Sequence, residues 1–179
     1  MRNSAIKLLG TFLCLPHHYG SLKFNESATY TPDKLGTFWE IQGTLKTLLI
    51  EAIRTEDDST NRQMLMWTVV TYLYENIQFV ECKDLASSFI TLLLNKIANN
   101  QWPLEDNLQA LNVLSEMSNL KKFTKVRIKI MGFNGKEICA QLVLILAAFV
   151  EANMEEKKGV TLPESMIVKC LYTILDWYV

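Results

Sequence analysis

The chain has 179 residues, 49% hydrophobic and 21% charged, with a formal net charge of −1. That size and balance suit a chain with a sizeable core and exclude a disordered or fibrous one. With 18 basic against 19 acidic side chains there is no overall field to draw in nucleic acid or an anionic membrane, so neither is an expected partner.

Only seven Gly and four Pro occur, the latter at Pro16, Pro32, Pro103 and Pro163, where they punctuate elements rather than break them. The first predicted helix runs from about Asn3 to Cys14, places Ala5, Leu8, Leu9, Phe12 and Leu13 on one face, and stops at Leu15-Pro16. Arg2 and Lys7 ahead of Leu8 to Leu15 resemble a secretory leader. The apolar run is short and holds Gly10 and Thr11, so an amphipathic scaffold helix accounts for the same residues. Residues 16–36 read as an irregular loop rich in polar and turn-forming residues. Asn25-Glu26-Ser27 within it matches the glycosylation acceptor pattern, which has no consequence without a leader.

The second helix places Phe38, Ile41, Leu45, Leu48, Leu49, Ala52 and Ile53 on a single face and ends near Thr55. The acidic turn Glu56-Asp57-Asp58-Ser59 introduces the third, where negative charge and a polar side chain satisfy the free amides of the first turn. The alternating oxygen ligands and central Gly of a calcium loop are missing from it. The third helix carries Met64, Leu65, Trp67, Val69, Val70, Tyr72, Leu73 and Ile77, and must meet neighbours on two sides. The fourth starts at Asp84, carries Leu85, Phe89, Leu92, Leu93 and Ile97, and stops at Asn99-Asn100.

Trp102-Pro103 opens the fifth helix, with Glu105 and Asp106 at the positive end of its dipole and Ala110, Val113, Leu114 and Met117 as its core face. The sixth runs from Lys136 to Met154. Its apolar run, Leu142 to Val150, falls far short of the ~20 residues a bilayer span needs and reads as a buried helix. Lys157, Lys158 and Gly159 are its stop signals. The seventh begins at Thr161-Leu162-Pro163, with Thr161 as candidate cap, and keeps Ile167, Cys170, Leu171, Ile174, Leu175 and Tyr178 in register.

Helices that are apolar nearly all round suit stacked layers of helix pairs. The predicted fold is therefore all-α, a HEAT/armadillo-like α-solenoid segment of about seven helices spanning 1–179. No exact internal repeat aligns, so a compact bundle of six or seven helices is the other architecture the pattern allows. The start almost inside the first helix and the stop at Asp176-Trp177-Tyr178-Val179 in helical register predict a part of a longer chain.

No constellation of residues reads as an active site, and neither an enzyme nor a cofactor is expected. Cys14, Cys82, Cys139 and Cys170 are isolated, with none of the spacing of a zinc site or disulfide framework, and read as reduced core residues of a cytoplasmic protein. His17-His18 with Cys14 supplies too few ligands for a structural zinc site and no third group to orient a nucleophile pair. No Gly-x-Ser-x-Gly elbow, Walker pattern or Gly-x-Gly-x-x-Gly occurs. Trp39, Trp67, Trp102 and Trp177 lie at core-compatible positions, which favours packing over base stacking.

The one charged candidate contact is Lys121, Lys122, Lys125, Arg127 and Lys129, interleaved with Phe123, Val126, Ile128 and Ile130. Its alternation fits a short extended segment with one basic face. Two readings stand for it: a solvated connector whose apolar side docks on the flanking helices, or a contact for an acidic partner surface or phospholipid head group.

Four blocks carry a resemblance beyond this. They are Arg2-Asn3-Ser4-Ala5-Ile6-Lys7-Leu8-Leu9 with Leu13-Cys14-Leu15-Pro16-His17-His18-Tyr19-Gly20; Leu45 to Glu56 continuing to Asn61-Arg62-Gln63-Met64-Leu65; Gln101-Trp102 to Ala110-Leu111-Asn112-Val113-Leu114-Ser115; and Ser165-Met166-Ile167-Val168 with Trp177. In collinear order they resemble the β-subunit family of Ral GTPase-activating protein complexes, related to tuberin-type assemblies. The sequence departs where the family carries a longer polar insert and this chain has only Val80-Glu81-Cys82-Lys83. The resemblance implies a non-catalytic scaffold segment whose partner is the catalytic α subunit and whose indirect target is the small GTPase Ral. It transfers no catalytic residue to any position here. An unrelated helical-repeat adaptor, using the basic segment as its cargo contact, is the alternative function.

Overall fold

The computed structural model describes residues 2–13, 23–25, 35–76, 83–120, 135–154 and 162–178. The fold is all-α. Among the described residues seven helices occur: α1 (Arg2–Leu13), α2 (Phe38–Thr55), α3 (Ser59–Asn76), α4 (Lys83–Ala98), α5 (Leu104–Ser118), α6 (Gly135–Met154) and α7 (Glu164–Tyr178). Within the stretch read as an irregular loop, β1 (Lys23–Asn25) and β2 (Leu35–Thr37) form a two-stranded antiparallel ribbon that sets Phe24 opposite Gly36. Strands of three residues are too short to show a period of two, which is why the pattern hid them. Packing divides the chain into two compact units, Met1–Val80 and Glu81–Val179, where the sequence reads as one segment; the division falls in the short connector between the third and fourth helices.

In the first unit α3 packs against both α1 and α2. Its buried residues Leu65, Met66, Val69, Val70, Tyr72 and Leu73 cover about half the helix circumference, which is the two-sided burial its composition requires. Gly10 lets α1 come close. A Cβ built there would stand 3.3 Å from Thr68 Cγ2 of α3.

The acidic turn between α2 and α3 is a cap, and Asp58 rather than Ser59 makes it. Asp58 Oδ1 accepts from the Asn61 amide at 2.8 Å, and Glu56 Oε1 accepts from the Asp58 amide at 3.1 Å and from Arg2 Nη1 at 3.3 Å. The buried Arg62 guanidinium closes the turn by donating from Nη2 at 2.7 Å and Nε at 3.1 Å to the Glu56 carbonyl.

In the second unit α4 packs on α5 and α6, and α7 packs on α5 and α6. Two helix pairs therefore lie one on the other. α4 ends as its Asn pair predicts: Asn100 adopts φ +48°, the Gln101 amide bonds the Lys96 carbonyl at 3.0 Å, and the Asn100 amide bonds the Ile97 carbonyl at 3.0 Å. This is the Schellman arrangement, in which a left-handed residue lets the chain turn back on the last carbonyls. The Asn107 side chain, buried in the first turn of α5, donates to the Trp102 carbonyl at 3.0 Å and ties the turn to the helix it opens.

Candidate interaction surface

α7 is held on α5 by polar hooks as well as apolar contact. Met166, Cys170, Thr173 and Trp177 are its buried face. Trp177 Nε1 donates to the Leu114 carbonyl at 2.7 Å, Thr173 Oγ1 donates to the Lys169 carbonyl at 2.9 Å and stands 3.4 Å from the Leu111 carbonyl, and Ser115 Oγ bonds Asp176. Cys139 of α6 donates its thiol to the Trp177 carbonyl at 3.1 Å.

This corrects the register read for the seventh helix. Cys170 is inside as expected and Ile167 and Ile174 are half-buried, but Leu171, Leu175 and Tyr178 face outward. The helix is apolar on two opposite sides, with Ser165, Lys169 and Asp176 in one narrow stripe and Glu164 at its first turn, so hydrophobicity alone does not choose the inner face. The indole N–H and the Thr173 hydroxyl, which reach α5 carbonyls, accompany the opposite side into the core.

Helix six is corrected in the same direction. Leu142, Leu146, Phe149 and Val150 are buried, but Leu144 is 69% exposed and Ala147 and Ala148 are exposed, so this helix is buried on one side only. Trp67, expected in the core, is 40% exposed on α3; Trp102 and Trp177 are buried. Leu8 and Phe12 of α1 and Leu48 of α2 add smaller exposed apolar positions on the first unit. Leu48, expected in the core row of α2, is exposed, while Leu49 and Ile53 are buried.

The basic candidates Lys121, Lys122, Lys125, Arg127 and Lys129 lie outside the described residues, as do Cys14, His17, His18, Cys82 and Thr161. Of the described cysteines, Cys139 is half-buried and Cys170 is buried, its thiol pushed up to about 11 by desolvation. No group of three metal-ligating side chains occurs among the described residues, and no helix there is long and apolar enough to cross a membrane. What the described surface offers is apolar area on helix faces, concentrated on α7, where Val168, Leu171, Tyr172, Leu175 and Tyr178 are exposed.

Comparison with known proteins agrees in kind. Over its full length the chain is 25% identical to a Rap-GAP domain-containing protein of Dictyostelium discoideum, of which it spans 13%. That alignment, at 213 residues, is longer than the chain, so the relative carries insertions. Over 42% of its length it is 31% identical to Ral GTPase-activating protein subunit beta of rat and of human, spanning 6% of each. The likeness is to proteins of GTPase activation. No family model and no solved structure matches the chain.

Proposed function

We propose that this chain is a non-catalytic scaffold segment of a Ral GTPase-activating complex, supporting the catalytic α subunit in stimulating GTP hydrolysis by Ral. The observation that carries the reading is the 31% identity to Ral GTPase-activating protein subunit beta over 42% of the chain. The packing of α6 on α4 and α7 on α5 supports a layered helical-repeat arrangement, since stacked pairs are how such arrays bury one face after another. In this reading the segment works in the cytoplasm, takes no cofactor, performs no chemistry of its own, and contributes area to a heterodimer. Lys121, Lys122, Lys125, Arg127 and Lys129 are its basic contact for an acidic partner surface.

Co-precipitation from cells expressing the tagged chain and the catalytic α subunit tests this. The α subunit should be recovered with the chain, and reversing the charge of the five basic residues should reduce the recovery several-fold. Failure to recover the α subunit under conditions where the chain is folded removes the reading and leaves the adaptor alternative.

A further inference from the structure

We draw no further inference here: the strongest candidate, the exposed apolar face of α7 made by Val168, Leu171, Tyr172, Leu175 and Tyr178, carries nothing because nothing in the structure shows what covers it.

Discussion

Replacing Trp177 by Ala removes a side chain that is only 2% exposed and an indole N–H donated to the Leu114 carbonyl at 2.7 Å. A buried Trp or Phe reduced to Ala typically costs 3–5 kcal/mol, of which about 1 kcal/mol is the net worth of one hydrogen bond. Because α7 reaches α5 through this residue and Thr173, the cost falls on the second unit. Set against a domain stability of about 5–15 kcal/mol, a loss of roughly 4 kcal/mol should move a urea midpoint far enough to be unmistakable. Trp177→Phe keeps a ring and loses the donor, and should cost roughly half as much. Far-UV circular dichroism is the proper readout, since it does not depend on the indole that is removed. The neighbouring Tyr178, 80% exposed, is the control: Tyr178→Ala should stay within about 0.5 kcal/mol in dilute protein. If Trp177→Ala and Tyr178→Ala destabilise equally, the inner face of α7 has been misassigned.

Asn100→Ala should cost about 1 kcal/mol in thermal or urea unfolding, because an alanine held at φ +48° pays the left-handed penalty that Asn partly escapes; an unchanged midpoint would mean the turn relaxes. Arg62→Met should cost about 2 kcal/mol by leaving the Glu56 carbonyl without its charged donor, and the loss should appear in the first unit's hydrogen exchange. Burial raises the Cys170 thiol from 9.0 to about 11, so as pH rises the unfolded chain gives up that proton first. This group therefore leaves stability untouched below about pH 9 and removes about 1.4 kcal/mol per pH unit between 9 and 11. Cys170→Ala should fall off less steeply than the native chain across that window, and identical slopes would show that the thiol ionises freely in the folded state.

The sequence made legible those features that a single residue type imposes locally. Asn99-Asn100 stops α4 because the second Asn tolerates a left-handed backbone, and the acidic turn does open α3, although the cap is the Asp58 carboxylate where a Ser, Thr or Asn side chain was expected. The two-sided burial of α3 was legible too, since its apolar residues run half-way round. What periodicity could not supply was a choice between two apolar faces. On α7 the reading put Leu171, Leu175 and Tyr178 in the apolar register and did not include Thr173, whereas Thr173 is fully buried and those three are exposed. A hydroxyl that returns its hydrogen to helix carbonyls behaves inside as a small apolar group would, and no pattern of hydrophobicity records that. The basic segment 121–129, the one charged candidate site, lies outside the described residues, so the expectation stands where the residues placed it.

The two faces of α7 differ in what holds them. The inner face is fixed by a directional bond, Trp177 to Leu114, which favours one rotation of the helix. The outer face carries Val, Leu and Tyr, whose attraction for an apolar neighbour is undemanding in direction. A helix whose register were set by apolar contact alone could rotate to hide the outer residues and expose the inner ones at little cost, since both sides are apolar. The hydrogen bond opposes that rotation: turning α7 over would give up the indole bond to the Leu114 carbonyl, a net loss of about 0.5–1.5 kcal/mol. The fold thereby holds open to solvent an apolar surface that the hydrophobic effect by itself does not distinguish from the inner one.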